Sequence, residues 1–171
     1  MDAKKRPAAP GLFPSVPSFF FIREARGGQV SSSAEAVELM AAEAQADREW
    51  LQVLYLDVKN QLIEKKLESW GSVDSASVYP REILRSALMN GAAALIAVHN
   101  HPSGDPDPSL CDREVTRDLV AAGQVLGVKV LDHIIIGAKV NGAQRSYSFA
   151  DEGLIDDFAS SFAPFLTGGR P

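Results

Sequence analysis

A single cysteine, Cys111, stands in this chain of 171 residues, so no intramolecular disulfide can form and nothing points to an oxidising compartment. Histidine is nearly as scarce, with three in all: His99 and His101 lie two apart, and His133 stands alone. Long apolar runs are missing too. Lys4, Lys5 and Arg6 resemble the start of a signal peptide, but Pro7, Pro10, Pro14 and Pro17 break the apolar stretch that should follow. No uninterrupted run approaches the roughly 20 residues of a membrane span. Nor is there an excess of positive charge. A net charge of −5 weighs against a domain built to grip nucleic acid non-specifically, which needs a basic surface. The expectation is a cytoplasmic protein without membrane association. What is present is ordinary for one globular domain: 46% hydrophobic residues can build a core, and 23% charged residues can keep it in solution.

Along the chain, residues 1–30 read as a flexible arm, rich in Pro, Ala and Lys over 1–16, with SFFFI at 18–22 as a short strand or a sticky contact segment. Ser31, Ser32 and Ser33 offer N-caps for a helix running to about residue 47, with Val37, Met40 and Ala41 in its apolar stripe. Residues 50–71 read as two strands around a polar turn at 57–60. In the first, Leu51, Val53 and Tyr55 face one way and Leu54 and Leu56 the other, which predicts a central strand. Pro80 suits the first turn of a helix striped by Ile83, Leu84, Ala87 and Leu88 and ended by Asn90-Gly91. Residues 93–99 form a continuous apolar run, the mark of a buried strand. Pro108-Ser109 opens another helix, with Val115, Leu119, Ala122 and Leu126 on one face and Gly127 as its stop. Strands follow at 128–136 and 144–149, and residues 159–171 read as a loose tail. There is no internal repeat. The alternation predicts a single α/β domain over residues 31–158, a mixed sheet flanked by helices.

The chemistry gathers in HNHPSGDPDPSLCD, residues 99–112. Side chains i and i+2 of an extended backbone share a face, so His99 and His101, at the end of a buried strand, point the same way. Neutral imidazoles bind zinc through one nitrogen each. The prolines forbid helix in the next segment, and Gly104 relieves its tightest turn. Asp112 then falls in the first turn of the following helix, where the helix dipole favours a carboxylate. Two histidines and one aspartate leave a fourth tetrahedral position open, as in catalytic rather than structural zinc sites. A metal-free alternative stands beside this: Ser109 through Asp112 spells S-x-x-D, which can serve as a capping box. Other motifs drop out. The chain has no H-x-E with P-C-x-x-C, no H-E-x-x-H, no G-x-S-x-G elbow, no Walker loop and no G-x-G-x-x-G.

His99-x-His101, seven residues, Ser109, two residues and Asp112 match the H-x-H-x7-S-x2-D pattern of JAMM zinc isopeptidases without a gap. The segments LYLDVKNQLI, DSASVYPREILRSAL, AVHNHPSGDPDPS, LGVKVLDHIIIG and YSFADEGLI resemble, in order, those of the RadC branch of that superfamily. The resemblance covers about residues 32–155. It implies a JAMM/MPN-type, cytidine-deaminase-like fold, Zn²⁺ held by His99, His101 and Asp112, and metallopeptidase-type hydrolysis of a peptide or isopeptide substrate. The family also carries a glutamate ahead of a strand as its general base. Glu49, directly before WLQVLYLD, fits that place, with Glu82, Glu64 and Glu68 as rivals. Ser109 is then implied as a donor to the attacking water or the developing oxyanion.

Three other residues carry groups able to take part in chemistry. His133, in LDHIII, reads as a hydrogen-bonded core histidine or a support to the ligands rather than a fourth ligand. Asp132 reads as such a support or a strand-end charge, and Cys111 receives no role. Longer RadC-type proteins carry a helix-hairpin-helix-like region, for which the arm leaves no room. That departure and the acidic charge count against a DNA association. The alternative function is an MPN-like binding module in a DNA-repair- or mobile-element-associated complex.

Overall fold

The computed structural model of the protein describes residues 28–43, 47–71 and 79–166. Five strands form one mixed sheet: β1 (Glu49–Leu56), β2 (Leu62–Gly71), β3 (Ala94–Asn100), β4 (Lys129–Val140) and β5 (Ala143–Ser148), in the order β2-β1-β3-β4-β5. β3 and β4 run parallel, and every other neighbouring pair is antiparallel. β1 is central and buried on both faces, as its two-sided apolar pattern predicts.

Four helices are seen among the described residues. They are α1 (Ser33–Met40), α2 (Pro80–Met89), α3 (Leu110–Leu126) and α4 (Leu154–Leu166). Ser32 caps α1 by accepting from the Glu35 amide, Pro80 opens α2, and Gly127 ends α3 in the left-handed conformation at φ 71°. One sheet face, with Leu51, Val53, Tyr55, Leu95 and Ala97, packs against Ile83, Leu84, Val115, Leu119 and Ile155 of α2, α3 and α4. The other, with Trp50, Leu54, Ile96, Val98 and Ile134, is covered by Val37 and Met40 of α1. This is the α/β arrangement expected of a JAB/MPN-type domain: a mixed sheet with helices on both faces.

The structure differs from the sequence expectation at three ends. α1 stops at Met40, short of residue 47. β4 runs on to Val140, because Asn141 and Gly142 both adopt positive φ (51° and 83°) and turn the chain straight into β5. The third is a correction: the expected loose tail begins inside α4, which is helical to Leu166 despite Pro164. Phe158 and Ala159 pack on the core, and the Gln124 side-chain amide donates to the Ala159 carbonyl at 3.0 Å. At the other end, Val30 is buried and its amide donates to the Asn60 carbonyl, so the last residue of the expected arm joins the fold. The SFFFI segment lies outside the described residues. Among those residues, no helix is long and apolar enough to cross a membrane.

Candidate metal centre

β3 delivers His99 into the α3 side of the sheet, because Leu95, Ala97 and His99 alternate onto one face. His101 follows where the chain leaves the strand. Its amide still donates to the Ile136 carbonyl of β4 at 2.9 Å, so the extended direction persists for two residues. The loop from Pro102 to Pro108 then folds onto β4, where the Ala138 amide donates to the Gly104 carbonyl at 2.9 Å. That approach tolerates no side chain: a Cβ on Gly137 would stand 2.4 Å from the Gly104 oxygen. The loop thereby presents the Asp105 carbonyl to His101 Nδ1 at 2.8 Å. A carbonyl only accepts, so Nδ1 carries the hydrogen and Nε2 keeps its lone pair.

Asp112 reaches the same point from the first turn of α3. His99 Nε2 and His101 Nε2 lie 3.0 Å apart. Asp112 places Oδ1 3.3 Å from the first and Oδ2 3.6 Å from the second. These three residues form a group able to hold a metal ion. A tetrahedral zinc with arms of roughly 2.0–2.1 Å separates its ligands by about 3.3 Å, so the observed spacings fit one. His99 and Asp112 are buried, and His101 is part-exposed and opens the site to solvent.

The electrostatics agree. Burial alone would raise the Asp112 carboxyl, but the His101 and His99 rings beside it and the hydrogen bonds from Ser109 outweigh it and hold the group well below the usual carboxylate range. The Asp112 carboxylate beside it draws His101 above its ordinary value, with help from the Asp105 carbonyl and the charge of Glu49. His99 is pushed down by burial, which Asp112 only partly opposes.

The capping-box reading of Ser109 and the metal reading of Asp112 turn out to be compatible. Ser109 Oγ accepts from the Asp112 amide at 3.1 Å and donates to Asp112 Oδ2 at 2.6 Å, and the Ser109 amide donates to the same oxygen at 2.7 Å. The box leaves the carboxylate facing the histidines, so one device both starts the helix and aims the ligand.

Of the four glutamates, Glu49 is the one whose charge acts on both rings. It opens β1, where Leu51 pairs with His99; the same register carried two residues further sets Glu49 across from His101, on the same face. The rivals are engaged elsewhere. Glu82 pairs with Arg81 and Arg85, Glu64 accepts from the Asn90 amide, and Glu68 bonds Lys66 and Tyr55.

Two further residues of the site carry no motif in the sequence. Asn100, between the histidines and fully buried, accepts from the Trp50 amide at 2.8 Å and donates to the Arg48 carbonyl at 3.1 Å. It thus holds the backbone on both sides of Glu49. Thr116 sits one turn after Asp112 and lies 2.6 Å from His133 Nδ1, whose Nε2 is 2.9 Å from His99 Nδ1. His133 therefore lies outside the group of His99, His101 and Asp112, next to one of its members. Burial pushes it down to about 3, so it is neutral, and its ring stacks on Phe149. The only signal for Thr116 was its i+4 spacing from Asp112, which puts both on one helix face. Asp132 faces away, bonded to Ser148 and the Ala150 amide. Cys111 is half-buried.

Comparison with known proteins gives a consistent picture. A family model described as a RadC-like JAB domain matches residues 30–154. A UPF0758 protein of Methanosarcina mazei is 51% identical over 102 residues, covering 60% of this chain and 42% of its own. One from Caldanaerobacter subterraneus subsp. tengcongensis is 46% identical over 128 residues (74% and 53%), and one from Coxiella burnetii 42% over 131 (76% and 56%). The chain thus spans about half the length of these relatives.

Proposed function

Because the chain belongs to the RadC-like JAB domain family, we propose that it is a zinc-dependent hydrolase of the JAMM type, acting on peptide or isopeptide bonds. The observation that carries this is the convergence of His99, His101 and Asp112 within ligand distance of one another; the Leu51–His99 pairing, continued two residues, brings Glu49 to the same end of the sheet face. A zinc ion held by these three residues would supply Lewis acidity, polarising a carbonyl and making water acidic enough to attack at neutral pH. Glu49 has the carboxylate oxygens to take the proton of the attacking water and return it to the leaving amine. Asn100 holds the backbone of Glu49 in register for that transfer. Ser109, exposed at the N-cap, turns its hydroxyl from Asp112 to donate to the developing oxyanion. Asp105 keeps His101 in the tautomer whose Nε2 is free.

Metal content of purified protein and amide hydrolysis, measured on the same preparations, test this reading. Wild type should hold one zinc per chain and His101→Ala should hold none. Glu49→Gln should keep the zinc and lose turnover by a factor of roughly 10² to 10⁴. Full activity in Glu49→Gln would remove Glu49 from the mechanism. A stoichiometric partner without hydrolysis of any amide would favour the binding-module reading instead.

A further inference from the structure

His99 Nδ1, His133 Nε2, His133 Nδ1, Thr116 Oγ1 and the Asp112 carbonyl form an unbroken chain of hydrogen-bond partners, inside a region where all four residues are at most 3% exposed. It begins on one metal-ligand candidate and ends on the backbone of another. Its direction can be read from valence alone. The Asp112 carbonyl only accepts, so the single hydrogen of the Thr116 hydroxyl points to it. The hydroxyl then faces His133 with a lone pair, and His133 Nδ1 must donate. A neutral imidazole carries one ring hydrogen, so His133 Nε2 is an acceptor, and His99 Nδ1 must donate to it. His99 is left with its lone pair on Nε2, 3.0 Å from the Nε2 lone pair of His101, so the two rings converge on one point with no hydrogen between them, as two ligands of a shared cation do.

We propose that His133 and Thr116 are positioning residues that fix the tautomer of His99, keeping its Nε2 lone pair permanently available to a divalent metal ion. The proposal rests on the metal-site reading above. Reversing the chain would leave the Thr116 oxygen and the Asp112 carbonyl oxygen facing each other with no hydrogen between them, which is repulsive. Replacing the hydroxyl by a methyl group removes that constraint. His133 can then hold its hydrogen on Nε2 and donate to His99 Nδ1, which moves the His99 hydrogen onto Nε2 and blocks the coordinating atom. Stacking against Phe149, at 5.2 Å between ring centres and 13° between planes, holds the His133 ring in the plane the chain needs.

The test uses the full chain stripped of metal, in two readouts. Long-range proton–nitrogen correlation NMR on labelled imidazoles reports the tautomers: in wild type, both His99 and His133 should carry their hydrogen on Nδ1. Zinc affinity, by competition with a chromophoric chelator, should fall roughly 10- to 100-fold in Thr116→Val and recover in Thr116→Ser, which restores the hydroxyl. The Thr116→Val spectrum should show His99 hydrogen on Nε2. A wild-type His99 protonated on Nε2 overturns the proposal whether or not any variant folds. So does a folded Thr116→Val that binds zinc as tightly as wild type, or an equal loss in Thr116→Val and Thr116→Ser, which would mark a packing role. If wild type takes up no zinc at all, the metal-site reading itself fails; zinc uptake unaffected by Thr116→Val sinks this inference alone.

Discussion

Asp132 shows how much a single buried carboxyl can shape the pH response of the molecule. It pairs with Ile96 on the α1 side of the sheet, 5% exposed, where Ser148 Oγ donates to Oδ2 at 2.6 Å and the Ala150 amide to Oδ1 at 2.9 Å. Burial pushes its pKa up from 3.8 to about 6, and those hydrogen bonds only partly oppose the rise. The folded state therefore holds this proton more tightly than the unfolded chain. The stability so gained is fully present below pH 3.8 and is lost as pH rises through 6, a swing on the order of 2–3 kcal/mol. Asp132→Asn removes the titration. Melting temperatures of the two proteins across pH 4–7 should therefore show wild type losing ground to the variant as pH rises; parallel curves would show that the carboxyl titrates normally.

Among the elements, the β3–α3 connection does most to build the site, and it depends on Gly137 and Gly104. The 2.4 Å approach between a Gly137 Cβ and the Gly104 carbonyl oxygen involves backbone, so Gly137→Ala must push the loop off β4. The expected cost is about 1–3 kcal/mol. The displaced Asp105 carbonyl would also release His101, so zinc content should fall while the fold survives; full zinc occupancy in Gly137→Ala would show that the loop adjusts without moving the ligand. This explains which parts of the structure could be read in advance. His99, His101 and Asp112 were legible because strand parity and helix-start chemistry are local rules that act within a few residues. The end of β4 is set by the turn at Asn141-Gly142, a hairpin signal in the sequence, rather than by the end of the apolar run at Ile136. The part of α4 from residue 159 onward reads as a tail because its serines and Pro164 obscure the helical spacing of Phe158 and Phe162, and what holds it is the contact of the Ala159 carbonyl with Gln124, 35 residues away in sequence. Asn100 and Thr116 were illegible for a related reason. Each acts on groups across the sheet or helix, and only the β1–β3 and α3–β4 packing reveals which groups those are.

For the molecule as a whole, the candidate metal centre would be a clasp between layers. β3 supplies His99, the β3–α3 loop His101, and α3 Asp112, while Glu49 enters from β1 and the hydrogen-bond chain through His133 adds β4. An ion bound there joins the sheet to α3 at the end where the parallel pair β3–β4 finishes. The unfolded chain has the same ligands but not their convergence, so binding free energy becomes folding free energy. At zinc concentrations about 100 times the dissociation constant, linkage adds about 2.7 kcal/mol, and a chain of this size should gain roughly 5–10 °C in melting temperature. His101→Ala should melt at the same temperature with zinc or with chelator. Thr116→Val should need more zinc to reach the same gain, because its affinity and not its folded framework is what has changed. Stoichiometric zinc in wild type with no rise in melting temperature would mean that the ion binds the unfolded chain as well as the folded one. The ligands would then be no clasp, and the catalytic arrangement built on them would lose its support.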